Sequence, residues 1–347
     1  MAASLPSQSS SVNKTNKEEM EGRMEKAEKS FQIYRERISK LPKENAWMGE
    51  DMFSYEGCWY PFMPVVEGVM CAQEHFQARP DDIILISQPK SGTTWLKALI
   101  FAIIKRTCYD NSTHPLLTNN PHACVPFLEI HLFQESPVAE VQNMPSPRLL
   151  ATHIPYTSLP KSILLSGCKI VYVCRDPKDV LISMYYFRTN RAIALSKELQ
   201  SISLEEAFDL FTKGISPYGP FWDHVKGYWK ASQGCPDKFF FVTYEEMKRD
   251  TLIKVKRLAE YLGRPFSMEE ERELVVEEII KLCSFDTLKN LEVNKSGYSH
   301  DLVFKNDTFF RKGEVGDWRN HLTTQMVESL DQITNEKLNG LFQRLNE

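Results

Sequence analysis

Four short β-favouring apolar runs constrain this chain most: Ile83–Ser87 (IILIS), Arg148–Thr152 (RLLAT), Lys169–Cys174 (KIVYVC) and Lys238–Tyr244 (KFFFVTY). Each reads as a buried strand, and helical patterns such as Thr93–Arg106 and Pro177–Phe187 separate one from the next. That alternation predicts an α/β fold, a single domain with a mostly parallel central sheet flanked by helices. Ligands of such sheets sit beyond the carboxyl ends of the strands, so the segments following these runs are the ones to search for chemistry.

With 347 residues, of which 42% are hydrophobic, the chain can fill one large core. Lys plus Arg total 42 against 46 Asp plus Glu, a net charge of −4. That balance excludes a protein built to coat nucleic acid or an anionic membrane, so any anion it binds must meet a local cluster of cations. The eight cysteines show no C-x-x-C pair and no Cys/His spacing of the zinc type. They read as reduced thiols, and no metal is expected. The longest uninterrupted apolar stretch, Ala98–Ile104, is far short of a bilayer span, and the amino terminus lacks the pattern of a secretory signal. A cytoplasmic location is expected, and the N-x-[ST] sequons at Asn13, Asn111, Asn294 and Asn306 are chance matches.

Residues 1–17 are polar and predict a disordered tail. Met20, Met24, Ala27, Phe31, Tyr34, Ile38 and Leu41 follow helical spacing and predict an amphipathic helix within 18–46, ahead of a main domain over 47–347. Tyr55, Trp59, Tyr60, Pro61, Phe62 and Pro64 predict an irregular, packed segment.

After IILIS comes Gln88-Pro89-Lys90-Ser91-Gly92-Thr93-Thr94-Trp95, then the apolar helix. A strand passing through a glycine turn into a helix start presents free backbone N–H groups and the positive end of the helix dipole. Lys90 adds a full charge, and Ser91, Thr93 and Thr94 add hydroxyls, so the segment reads as an anion cradle with more polar groups than simple helix capping requires. It is not a Walker A loop, because no Gly-Lys dipeptide occurs in the chain. A phosphotransferase of that type would also need a metal-holding acidic partner, and none can be placed.

The segment PKSGTTW after a strand resembles the 5′-phosphosulfate loop of cytosolic sulfotransferases, which use 3′-phosphoadenosine 5′-phosphosulfate (PAPS). The resemblance runs from about Phe53 to Trp318, and ATHIPYTSLP, RDPKDV and FFRKGEVGDW are most similar to the plant enzymes. It implies that Arg175, after KIVYVC, and Ser183, eight residues on, hold the donor 3′-phosphate. Arg311, Lys312 and Gly313 are implied to close over the same group, and Trp95 and Tyr244 to contact adenine. His153, in Ala151-Thr152-His153-Ile154-Pro155, is implied to be the catalytic base, with Lys90 at the oxygen bridging phosphate and sulfate and Ser183 restraining Lys90 until acceptor arrives. The acceptor slot is implied to include Tyr60, Pro89, Phe127 and Phe187.

The chain departs from many relatives at Ala151, where animal relatives often carry Lys, and at Cys283-Ser284-Phe285, where many have Thr-Ser-Phe. Arg319, Thr323, Thr324 and Glu328 form the nearest analogue of the relatives' dimerisation stretch but replace its Lys and Val, so the oligomeric state stays open between a monomer and a weak homodimer. The activity implied is sulfuryl transfer to a hydroxyl of a small metabolite of flavonoid, steroid, phenol or hydroxyjasmonate type. A non-catalytic sensor of adenosine bisphosphate is the alternative.

Overall fold

The structure, a computed structural model, describes residues 28–47, 50–110, 112–133, 140–195, 202–299, 304–338 and 341. The expected tail and the start of the first helix lie outside these residues. The helix itself, α1, occupies 28–38 and buries Phe31, Tyr34 and Ile38.

Where the sequence predicted helix as far as residue 46, the chain instead forms a ribbon. Pro42 disfavours helical backbone at the residue before it, and Lys43–Ala46 (β1) pairs antiparallel with Glu50–Tyr55 (β2). Strand β2 turns back into Cys58–Pro61 (β3) through Glu56 and Gly57, with φ of 51° and 78°. Two consecutive positive φ values are what a two-residue hairpin of matching twist demands. The aromatic segment expected to be irregular is therefore largely strand, and it runs on into helix α2, Met63–His75. Trp59 at its edge donates to the Gly219 carbonyl at 2.8 Å and accepts from the Tyr218 amide at 2.7 Å. The ribbon thereby braces the loop that carries Tyr218.

The predicted strands form one parallel sheet. Ile83–Ser87 (β4), Leu149–Thr152 (β5), Lys169–Cys174 (β6) and Phe239–Thr243 (β7) lie in the order β5-β4-β6-β7. Arg148, Lys238 and Tyr244, expected as strand ends, fall just outside the observed strands. Arg148 is buried and its Nε donates to Asp82 Oδ1 at 2.7 Å, while Tyr244 opens a helix capped by Thr243 and Glu246.

Side chains alternate across the sheet. Ile84 and Ile86 pack with α2 and helix Phe221–Gly234, whereas Ile83 and Leu85 pack on the opposite face with helix α3, Thr93–Lys105, and helix Thr251–Tyr261. A slip of one residue would exchange those faces, and each buried Ile or Leu contributes about 2 kcal/mol to holding the register. Along α3 every residue from Leu96 to Ile104 is buried, including Lys97. Short helices α4 (Pro121–Cys124) and α5 (Lys161–Leu165) follow, and α6 (Pro177–Leu195) leaves the end of β6. All eight cysteines are free thiols. Asn294 and Asn306 are buried, so their sequons are closed to modification.

Candidate active site

At the end of β4 the chain turns through Lys90 (φ 70°) and Gly92 (φ 106°) into α3. Gly92 is required twice over: its backbone is left-handed, and a Cβ there would lie 2.7 Å from Cδ2 of the Tyr244 ring. No side chain caps α3, so the N–H groups of its first turn and the positive end of its dipole are available to an anion. The hydroxyls of the turn also meet partners within the protein. Thr93 Oγ1 pairs with Ser87 Oγ at 2.6 Å, Thr94 Oγ1 pairs with His122 Nε2 at 3.0 Å, and buried Ser91 Oγ has no partner among the described residues. Two of the three hydroxyls thus have a partner within the protein, and each keeps further hydrogen-bonding capacity beside the backbone N–H groups of the turn.

Arg175 emerges from β6 with its guanidinium 4.6 Å over the Tyr244 ring. Its Nη2 donates to the Glu314 carbonyl at 2.5 Å and lies 3.2 Å from Asp179, while Nε has no partner among the described residues. Asp179 also accepts from the amides of Gly316 at 2.7 Å and Trp318 at 3.1 Å. This one buried carboxylate therefore ties the start of α6 to the segment FFRKGEVGDW. The Tyr244 hydroxyl donates to the Gly313 carbonyl at 2.8 Å. Gly313 has φ 69°, and a Cβ on it would stand 2.4 Å from Cδ2 of Phe285. Phe285 thus packs beneath the loop, while Ser284 caps the short helix Phe285–Asn290 by accepting from Thr287.

Arg311 and Lys312 share Asp317, at 2.7 Å and 2.5 Å. Burial works against ionising Asp317, but hydrogen bonds from Lys312, Asn320 and Arg311 outweigh it and hold the carboxyl well below its usual range. Lys90 Nζ stands 3.9 Å above the Phe187 ring. Burial, with the nearby charges of Arg311 and Arg175, pushes its ammonium down to about 7. Lys90, Arg175 and Arg311 all line one cleft, although Lys90 and Arg311 are more than 200 residues apart in sequence.

His153 follows β5 and is almost fully buried. Its Nδ1 lies 2.6 Å from the Ser87 carbonyl, an oxygen that can only accept, so Nδ1 carries the proton and Nε2 keeps its lone pair. Burial pushes the imidazole down to about 3, which leaves it neutral in ordinary buffer. Its backbone is fixed on both sides: the amide donates to Glu129 at 2.8 Å, and the carbonyl accepts from His224 Nε2 at 3.0 Å. Phe127 lies 4.5 Å and Tyr218 5.2 Å from the ring.

These groups surround one cleft of about 340 Å³. Lys90, Gly92, Thr93, Thr94, Trp95, His153, Arg175, Ser183, Tyr244, Arg311, Lys312 and Gly313 all line it, and Ser91 sits behind the wall. Of the expected acceptor residues, Pro89, Phe127 and Phe187 line the cleft. Tyr60 does not: it is fully buried with its ring 5.5 Å from Tyr218, and Pro61 and Phe62 take the wall position instead.

The sulfotransferase domain family matches residues 80–342. The chain belongs to the sulfotransferase family. It is 47% identical over 333 residues to cytosolic sulfotransferase 17 of Arabidopsis thaliana, covering 95% of each chain. To flavonol 4′-sulfotransferase of Flaveria chlorifolia it is 48% identical over 321 residues, covering 91% of this chain and 98% of that one. A crystal structure of an Arabidopsis thaliana steroid-sulphotransferase candidate superposes with TM-score 0.68 at 40% identity, covering 87% and 92%. A mouse sulfotransferase complexed with 3′-phosphoadenosine 5′-phosphate (PAP) superposes at 0.64 with 26% identity, covering 84% and 95%.

Several residues of this sulfotransferase site were not found by sequence reasoning: Asp179 and Asp317, which anchor the cations, and Lys97, His122, His131 and Glu129 near His153. Lys97 did leave a signal, a single charge in the middle of the apolar run LKALIFAII. The others look like ordinary polar residues until the fold pairs them. Among the described residues, no group of three His, Cys, Asp or Glu side chains is arranged to hold a metal ion.

Proposed function

We propose that this sulfotransferase moves a sulfuryl group from PAPS to a hydroxyl of a small metabolite by in-line displacement, with His153 as base. The observation that carries the reading is the tautomer of His153: the Ser87 carbonyl holds the proton on Nδ1, and Nε2 is left as an acceptor in the cleft that Lys90, Arg175 and Arg311 also line. The acceptor proton passes to Nε2 and the acceptor oxygen bonds to sulfur. The bond from sulfur to the 5′-phosphate oxygen then breaks, its electron pair leaving on that oxygen, where the Lys90 ammonium meets the new charge. Arg175, Ser183, Arg311 and Lys312 hold the 3′-phosphate, Tyr244 and Trp95 flank the adenine, and Ser183 restrains Lys90 until acceptor binds.

Phe127, Phe187 and Phe62 favour a planar or steroid-like alcohol, which suits flavonoid, steroid, phenol or hydroxyjasmonate acceptors. No helix among the described residues is long and apolar enough to cross a membrane, and relatives are named cytosolic, which supports a cytoplasmic enzyme. A weak homodimer through the region of Arg319 to Glu328 belongs to the same reading, and sizing across a concentration series tests it.

Sulfur-labelled PAPS offered with a panel of phenolic and steroid alcohols tests the activity. Transfer to at least one acceptor, abolished in His153→Gln, is expected. Tight PAP binding without transfer to any acceptor would favour the sensor.

A further inference from the structure

Lys97 is fully buried on α3, one turn beyond the cradle, and among the described residues it forms no ion pair. Burial pushes its ammonium well down, and the charge of Glu129, acting at longer range, opposes that shift. Its close contacts are His122 Nδ1 at 3.1 Å and the face of Phe127, 3.2 Å from the centroid. The other ring nitrogen of His122, Nε2, is 3.0 Å from Thr94 Oγ1. Phe127 at 5.4 Å and Phe309 at 4.3 Å pack against the His122 ring and fix its orientation.

The place of Nζ over the Phe127 face favours the charged form of Lys97, and with an ammonium there donor and acceptor capacities set the protons of the chain. An ammonium only donates, so Nδ1 of His122 must accept. Burial and the adjacent Lys97 charge keep His122 neutral, which puts its single proton on Nε2. Nε2–H donates to Thr94 Oγ1, and the Thr94 hydroxyl is left to donate its own hydrogen elsewhere. Thr94 belongs to the first turn of α3 and lines the cleft.

We propose that Lys97 is a positioning residue: acting through His122, it orients the Thr94 hydroxyl as a hydrogen-bond donor to the anion in the cradle. The inference rests on the donor reading given above. The reverse arrangement shows what Lys97 contributes. A neutral amine accepting from Nδ1–H would make Nε2 an acceptor, draw the Thr94 proton toward His122 and turn hydroxyl lone pairs toward the anion. The charge on Lys97 and occupation of the cradle therefore support one another, although Lys97 does not touch the anion.

Calorimetric titration of PAP into the wild type, Lys97→Met, Thr94→Val and the double variant tests this, with thermal melts confirming folding. Each single variant is expected to bind about tenfold more weakly, the scale of one hydrogen bond to a charged group, and the double variant no more weakly than Thr94→Val alone. Wild-type affinity in Lys97→Met, or losses that multiply in the double variant, would overturn the proposal. Should Lys97→Met fail to fold, His122→Phe, which keeps the aromatic packing, replaces it in the same cycle with the same two outcomes. Failure of the wild type to bind PAP would overturn the donor reading and this proposal together, whereas intact wild-type binding with multiplying losses overturns this proposal alone.

Discussion

At the donor end of the cleft, Lys90, Arg175 and Arg311 lie among glycines whose replacement would drive a Cβ into Tyr244 or Phe285. At the proposed acceptor end, Phe127 and Tyr218 pack against the His153 ring, Phe62 and Phe187 line the cleft, and the Ser87 carbonyl sets the direction of the histidine. One end recognises by charge and by backbone approach, which tolerate little change in shape. The other recognises by apolar surface, which accommodates changes in volume at modest cost. On the proposed reading, that difference makes the donor fixed and the acceptor variable.

The sharpest way to break the comparison is at His153, where the two ends meet. His153→Ala should lower kcat by about 10³-fold, within the range of a lost general base, while leaving PAP affinity nearly unchanged by calorimetry. A matching loss of PAP binding would make His153 part of the donor end. Next in size, Arg175→Met should weaken PAP by about 2 kcal/mol, roughly 30-fold, with the acceptor KM unaffected. Gly313→Ala should cost about 1–3 kcal/mol of stability by thermal unfolding, since it combines a left-handed φ with a Cβ 2.4 Å from Phe285.

A smaller effect comes from pH. Lys90 in the free protein is pushed down to about 7, so its charge is present below that pH and lost above it. PAP affinity should therefore fall several-fold as pH rises from about 6 to 8, and Lys90→Met should flatten that slope. A slope unchanged in the variant would assign the titration to another group. The mildest change is Phe187→Leu, expected to move acceptor KM by about threefold through lost apolar contact, although a larger shift in PAP affinity would show that its ring matters chiefly to Lys90.

What the sequence revealed divides along the same line. The four strands were readable to within a residue because burial on both faces writes a local signature, and the cradle was readable because a strand, a glycine turn and a helix start are contiguous. The β2–β3 ribbon was missed because Glu56-Gly57 is a weaker turn signal than Asn-Gly, and the aromatic residues around it obscured the pairing. Tyr60 was placed on the cleft wall, but strand β3 directs it toward Tyr218 in the core, a choice set by pairing and not by residue type. Asp179 and Asp317 were invisible for a different reason. The bond from Asp179 to Gly316 spans 137 positions, and no local pattern encodes a partner so distant.

That long bond has a consequence for how the protein is made. The central sheet is complete once Thr243 has been synthesised, yet Asp179 finds its two amide partners only when Gly316 and Trp318 emerge from the ribosome. Nascent chains halted between those points would carry a finished scaffold without the segment that Asp179 ties to α6, so the proposed donor site is closed only at a late stage of synthesis.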